Sequence, residues 1–315
     1  MKRPLLTAAG VLLAGLAASA AYTRWISRKV EREFRPEGGF IHTRHGRLHV
    51  IDRGSGPTIL MIHGLGGQTG NFTYGLVDRL AERYRVVAVD RPGCGFSDPL
   101  PEGGAPICRQ AEIMAEVIRK LELDRPLVVG HSLGGAIALA LAIDHPELVR
   151  GLCLLAPLTT AQDDAPPAFQ SLKWRRMWQR RLIAHTLAAP MGRLQRKATL
   201  NLIFGPDPAP DDFGTKGLGY LSMRPMAFIT ASSDMVFAND DLPWLAERYG
   251  DIAVPVSVLY GRGDQVLHPE VNSQAIRQAL PGARIEMIEG GHMIPLTAWQ
   301  AVAEFIDRAA QEAFA

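Results

Sequence analysis

Five residues, Gly130-His131-Ser132-Leu133-Gly134, stand between the apolar run Leu127-Val128-Val129 and the alanine-rich stretch Ala136–Ala142. A strand that turns into a helix within a residue or two presses backbone against backbone. Glycine on either side of the turn removes the Cβ atoms that would collide. The serine at the apex is exposed on a sharp, strained turn, and the helix behind it aims its first N–H groups and positive dipole end past the hydroxyl. Such an elbow needs a strand that feeds a helix, so the expected class is α/β.

The rest of the chain agrees with that class. Short apolar runs at Thr58–His63, Arg85–Asp90, Pro126–Gly130, Gly151–Ala156, Pro255–Tyr260 and Arg284–Ile288 carry β-branched residues and are flanked by Gly or Pro, which predicts strands. Between them, Leu76–Arg83, Gln110–Leu121, Leu133–Ile143, Pro269–Leu280 and Ala298–Ala310 hold apolar residues at three-and-four spacing, which predicts helices. Alternation of this kind gives a mainly parallel sheet covered on both faces. It breaks between about residue 158 and residue 250, where Pro, Trp, Met and Arg are frequent and no strand is legible. That stretch reads as a helical cap inserted into a core made of residues 36–157 and 251–315.

A seryl hydroxyl is a poor nucleophile at neutral pH. It needs a base within hydrogen-bond reach, and the base needs a carboxylate to orient it. Gly261-Arg262-Gly263-Asp264 and Gly290-Gly291-His292 each follow a predicted strand, at the carboxyl edge where open α/β sheets bind ligands. Ser132, Asp264 and His292 are thus the candidate nucleophile, orienting acid and base; Asp163, just after the preceding strand, is the other candidate acid. His131 is expected to pack beneath the elbow. His42, His45 and His49 precede the first predicted strand, and most remaining histidines are expected to be solvated or to cap helices. Earlier in the chain, His63-Gly64-Leu65-Gly66-Gly67 ends a strand in a loop open enough for backbone to approach a substrate oxygen. It lacks the Lys-Ser/Thr of a phosphate-binding loop and the spacing of a dinucleotide fingerprint. The backbone N–H groups of Leu65 and Leu133 are the candidate oxyanion donors.

Together with Asp90-Arg91-Pro92-Gly93-Cys94-Gly95 and Gly130-His131-Ser132-Leu133-Gly134-Gly135, these segments resemble the α/β-hydrolase superfamily from about residue 40 to 312. The resemblance implies an eight-stranded, mostly parallel sheet, a variable cap after the sixth strand, and the chain order Ser132, Asp264, His292. It implies hydrolysis of a carboxylic ester through an acyl-enzyme on Ser132, with no cofactor and no metal. Acyl transfer and amide or carbon–carbon hydrolysis would use the same triad. Dehalogenase-like and epoxide-hydrolase-like relatives carry Asp as nucleophile, against which Ser132 argues. A non-enzymatic scaffold would have no need of the whole constellation.

A net charge of +2 with no basic nucleic-acid-binding motif excludes a nucleic-acid partner. Cys94, Cys108 and Cys153 lack disulfide or metal spacing; Cys153 reads as a core residue and Cys94 as the accessible one. Between Arg3 and Arg24 the chain is uncharged and rich in Leu and Ala, about the length of a bilayer-crossing helix. Residues 1–35 are therefore expected to form a membrane segment with a basic linker, Tyr22 and Trp25 lying at the headgroups. Ala18-Ser19-Ala20 also resembles a signal-peptide cleavage site, which would give an exported protein. Arg24, Arg28, Lys29, Arg32 and Arg35 favour an uncleaved anchor with a cytoplasmic catalytic domain. The substrate expected beside such a membrane is a small-molecule or lipid-like acyl ester. Within the cap, residues 172–182 predict a helix with Trp174, Met177, Trp178, Arg181 and Leu182 on one face. Arg175, Arg176 and Arg180 form a basic face suited to cover the site or to meet an anionic membrane.

Overall fold

The computed structural model describes residues 2–161 and 166–315, without the side chains of residues 2–9, 167 and 168. One sheet holds eight strands: β1 (Gly39–Thr43), β2 (Gly46–Arg53), β3 (Thr58–Ile62), β4 (Arg85–Val89), β5 (Leu127–His131), β6 (Gly151–Leu155), β7 (Val256–Gly261) and β8 (Arg284–Ile288). Their spatial order is β1-β2-β4-β3-β5-β6-β7-β8. The pairings of β1 with β2 and of β2 with β4 are antiparallel, and every later pairing is parallel.

Side chains alternate across the sheet and so divide the core in two. Leu60, Ile62, Val87 and Val89 face the helices Ile107–Lys120 and Leu133–Asp144, whereas Ile59, Met61, Val86 and Ala88 face Leu76–Ala81 and Trp299–Phe314. The helix behind the elbow is buried along the whole of residues 133–143. A helix covered all round carries no polar stripe, and its small alanines let neighbours come close. The six strands expected from alternation coincide with β3 to β8. What the periodicity missed is β1 and β2, because β2 places His49 among Leu48, Val50 and Ile51 where an apolar residue would be expected.

His49 is buried rather than solvated. Its Nδ1 donates to Asp90 Oδ2 at 2.7 Å and its Nε2 to the carbonyl oxygen of Glu37, with Phe40 and Phe96 against the ring. Burial alone would push its pKa down; the hydrogen bond and charge of Asp90 outweigh it, and the net direction is up. His63 and His131, at the ends of β3 and β5, are pushed down to about 3, first by burial and then by the neighbouring charges of Arg91 and His292 respectively. Cys94 is buried too, contrary to expectation, and burial raises its thiol to about 12.

Between β6 and β7 the described residues form helices and turns, chiefly Pro167–Gln170, Met177–Thr186, Ala188–Phe204 and Pro225–Glu247. The helix expected over 172–182 begins only at Met177 and presents the opposite face. Arg180 turns inward, its Nε donating to Trp174 O at 2.7 Å and its Nη1 to Ser233 Oγ at 2.9 Å, while Trp178 is 58% and Leu182 55% exposed. Arg175 pairs with Asp240 at 3.1 Å. The carbonyl and hydroxyl acceptors on neighbouring segments decide this rotation, and helical periodicity carries no information about them.

The N-terminal segment is a single helix, Lys2–Glu33. Its second half docks on the cap: Ile26 and Val30 are buried, and Ser19 Oγ and Thr23 Oγ1 both donate to Thr186 O, at 2.6 and 3.2 Å. The expected bilayer-crossing segment with a basic linker needs correction here. Among the described residues no helix is long and apolar enough to cross a membrane. The stretch taken for a linker continues the same helix and spends its apolar side on the cap.

Two outcomes follow from this packing. Ile26→Ala removes a buried side chain worth about 2 kcal/mol or more, so limited trypsin digestion should cut at Arg24 and Arg28 faster than in the wild type. Equal cutting rates would mean that the helix contributes no docking energy. Unfolded histidines titrate near pH 6.5. As pH falls below that toward the native values of His63 and His131, the unfolded chain gains protons that the native state refuses, and stability declines. The stability contributed by His49 is complete below its unfolded pKa and is lost as pH rises through its raised native value. Melting temperatures measured between about pH 4 and about pH 9 should therefore peak near neutrality, and His49→Gln should flatten the alkaline side.

Candidate functional site

Ser132 adopts φ 54° and ψ −120°, a left-handed conformation that costs a residue with a side chain about 1–3 kcal/mol. The surroundings impose it. Ser132 N donates to Leu155 O at 3.0 Å, and Ser132 O accepts from Gly135 N at 2.8 Å and Leu158 N at 3.0 Å. A Cβ on Gly130 would strike Gly134 and Gly135, and one on Gly134 would strike the carbonyls of Ile62 and His63. The seryl side chain borders a cavity of about 770 Å³ at the carboxyl edge of the sheet.

Asp264 and His292 meet from two adjoining loops. The loop after β7 and the loop after β8 pass so closely that a Cβ on Gly261 would strike the carbonyls of Gly290 and Gly291. His292 Nδ1 donates to Asp264 Oδ2 at 2.7 Å, while Asp264 Oδ1 accepts from Val266 N at 2.8 Å and Leu267 N at 3.0 Å. Burial disfavours the charged carboxylate. The His292 charge and hydrogen bond, together with the two N–H donors, overcome burial and hold Asp264 below the usual carboxylate range. In the neutral tautomer that keeps its proton on Nδ1, Nε2 of His292 carries the lone pair. His292 borders the same cavity as Ser132, Leu65 and Leu133. Asp163 lies outside the described residues.

Leu133 begins a helix, where a backbone N–H has no partner within the helix. Across from it, a Cβ on Gly64 would lie 2.8 Å from the Cβ of Ser132, so the His63–Gly67 loop can sit against the nucleophile only with glycine there. His131 packs as expected: its Nε2 donates to His292 O at 3.0 Å, with the two rings 5.0 Å apart. Three residues that sequence reasoning passed over also reach this region: Arg91, Gln110 and Asp234. Arg91 and Gln110 are fully buried, as is Asp234, which comes from the cap and borders the cavity. Asp90-Arg91 was visible as a charged pair at the end of an apolar strand. Nothing set Asp234 apart from other polar residues of the cap.

The cap lines the cavity with apolar side chains, among them Leu172, Leu200, Ile203 and Met235. Arg193, Arg196 and Lys197, on one face of the Ala188–Phe204 helix, border it as well. The cavity is thus apolar in much of its wall, is bordered by Ser132, His292, Leu65 and Leu133 from the core, and carries cations from the cap.

The family model for the alpha/beta hydrolase fold matches residues 57–298. An uncharacterized protein of Mycobacterium tuberculosis is 28% identical over 286 residues, covering 84% of this chain and 78% of its own length. The magnesium-chelatase 30 kDa subunit of Rhodobacter capsulatus is 31% identical over 252 residues, covering 78% of this chain and 84% of the subunit. Among solved structures, a membrane phospholipase A described as a bacterial virulence factor superposes with a TM-score of 0.69 at 25% identity, over 99% of both chains. From its sheet order, its elbow and these likenesses, the chain belongs to the α/β-hydrolase fold family.

Proposed function

We propose that this protein is a serine hydrolase that cleaves carboxylic esters with lipid-like acyl groups. The observation that carries the reading is the 2.7 Å bond from His292 Nδ1 to a buried, ionised Asp264, with His292 and the strained Ser132 on one cavity. In this reading His292 Nε2 takes the Ser132 proton as Oγ attacks the ester carbonyl carbon. The resulting oxyanion is met by the N–H groups of Leu65 and Leu133. Collapse breaks the bond to the alcohol oxygen, which leaves with the proton from His292. Water then gives a proton to His292, attacks the acyl-Ser132 ester, and releases the acid and the free serine. The apolar cavity supports an acyl chain as the bound part.

The same reading puts the protein at a membrane surface, held by its N-terminal helix with the catalytic part on the cytoplasmic side. Val11, Leu12 and Leu13 are exposed on that helix, and Leu182, Leu187, Met191 and Leu194 on the cap helices beside it. Residues 177–204 contain no Asp or Glu, and Arg193, Arg196 and Lys197 are exposed there with no acidic residue within these helices to oppose them. Exposed apolar side chains among cations suit an anionic bilayer surface. Ser19, within the cleavage-like Ala18-Ser19-Ala20, and Thr23, just after it, both hold Thr186, which supports an uncleaved helix.

A fluorophosphonate probe should label the wild type and fail to label Ser132→Ala, which should also lose ester turnover while melting like the wild type. Asp264→Asn should reduce kcat by about ten-thousandfold, because His292 would be held in the wrong tautomer. Turnover of p-nitrophenyl esters should rise with acyl length beyond acetyl. Labelling of Ser132→Ala at the wild-type rate would refute the mechanism. On vesicles, the full chain should co-sediment with phosphatidylglycerol-containing membranes at low salt and less with pure phosphatidylcholine. Replacing Arg193, Arg196 and Lys197 by Gln should weaken the anionic binding; equal binding to both vesicle types would remove the electrostatic part of the membrane reading.

A further inference from the structure

The guanidinium of Arg91, 1% exposed, lies directly behind the loop that carries Leu65. Its Nε donates to His63 O at 3.0 Å and its Nη2 to Gly64 O at 2.8 Å, and Arg91 N donates to His63 Nε2 at 3.0 Å. Gly64 O and Leu65 N belong to one peptide plane, in which C=O and N–H point in opposite directions. Holding Gly64 O on the Arg91 side therefore aims the Leu65 N–H away from Arg91. His63 Nδ1, at 2.8 Å, and Gly67 N, at 3.2 Å, donate to the same Gly64 oxygen and lock that plane further.

A buried guanidinium needs a counter-charge, and here the charge comes from the cap. Arg91 Nη1 donates to Asp234 Oδ2 at 2.7 Å and to Gln110 Oε1 at 2.6 Å; Gln110 Nε2 in turn donates to Asp234 Oδ1 at 3.2 Å. Asp234 is 1% exposed on the Pro225–Glu247 helix and is the acidic residue that borders the cavity among its described lining. Removing one member of such a buried pair leaves the other charge uncompensated, so its geometry is held tightly.

We propose that Arg91 and Asp234 are positioning residues that link the seating of the cap to the aim of the Leu65 N–H. With the cap helix in place, Asp234 fixes the guanidinium and the guanidinium fixes the Gly64–Leu65 peptide. A displaced cap takes away the guanidinium's counter-charge and loosens its hold on the peptide, which His63 Nδ1 and Gly67 N then keep without it. The oxyanion donor is thus aimed most firmly when the cap covers the cavity.

The inference rests on the serine-hydrolase reading, and wild-type fluorophosphonate labelling tests that reading separately. Asp234→Asn keeps the shape and removes the charge. On a soluble short-chain ester it should lower kcat by about tenfold with KM within about twofold, a fraction of the loss seen when an oxyanion donor is deleted outright. Affinity for a trifluoromethyl ketone, whose adduct with serine carries the oxyanion, should fall in step with kcat. Thr230→Val serves as the structural control: it lies on the same helix and loses the hydroxyl bonds to Gly103 O and Gly93 O, but its side chain bonds none of Arg91, Gln110 and Asp234, so it should lower the melting temperature and spare kcat and ketone affinity. Should Asp234→Asn fail to fold, Gln110→Leu, which removes the bridge between the two charges, should lower kcat and ketone affinity together by about twofold or more. A folded variant with wild-type kcat and ketone affinity, or one in which KM alone rises, would overturn the linkage while leaving the hydrolase reading intact.

Discussion

Backbone lies against backbone at the carboxyl end of β5, and most of the molecule is arranged around that contact. The peptide of Gly134 touches the carbonyls that end β3, and the loop after β3 touches Ser132. Such approach is possible only if β3 and β5 are neighbours in register, with Ile62 opposite Gly130. It also requires the following helix to leave at once, small-sided and buried on all faces. The strain at Ser132 is held by three backbone hydrogen bonds to β6 and the turns beside it. Leu65, Ser132 and Leu133 border one cavity because the sheet order brings the ends of β3 and β5 side by side.

Charge is handled in layers around this contact. At the carboxyl edge of the sheet, Asp264 stays ionised because two N–H groups and His292 replace the water it has lost. Behind the loop after β3, Arg91 stays charged because carbonyls and Asp234 surround it. On the far side of that loop, Asp90 takes N–H donors from Thr69 and Phe96 and a proton-bearing nitrogen from His49. Each buried charge ties two segments distant in the chain, so the loops at this edge are fixed by polar contacts while the sheet beneath them is fixed by apolar ones. That division suits a site whose donors must be aimed within a few tenths of an ångström on a rigid base.

The cap and the N-terminal helix form a second surface with different physics. Their helices leave large apolar side chains in solvent, with Leu194 78% and Trp178 58% exposed, although they also carry the cations beside the cavity. Exposed apolar groups of this size are costly in water unless something covers them. The N-terminal helix covers part of the cap through Ile26 and Val30, and its own exposed Val11, Leu12 and Leu13 continue the same surface beyond the edge of the core.

The sequence by itself determined the class of fold and six of the eight strands, and it singled out Ser132, Asp264 and His292 as candidates. Each of these is written in local pattern: glycines at forced turns, apolar runs of strand length, and polar residues just past strand ends. Leu65 and Leu133 were candidates for the same reason, since their position beside glycines follows from the motif. Local pattern could not reveal β2, whose buried His49 looks polar until Asp90 and Glu37 are seen to satisfy both ring nitrogens. Nor could it reveal that Arg180 turns inward while Trp178 faces out, or that the supposed linker docks as helix on the cap. The pairing of Arg91 with Asp234 joins positions 143 residues apart. Only the tertiary structure decided these, because the solvation of a buried charge depends on which distant acceptors the folded chain brings within about 3 Å, and sequence spacing does not encode that distance.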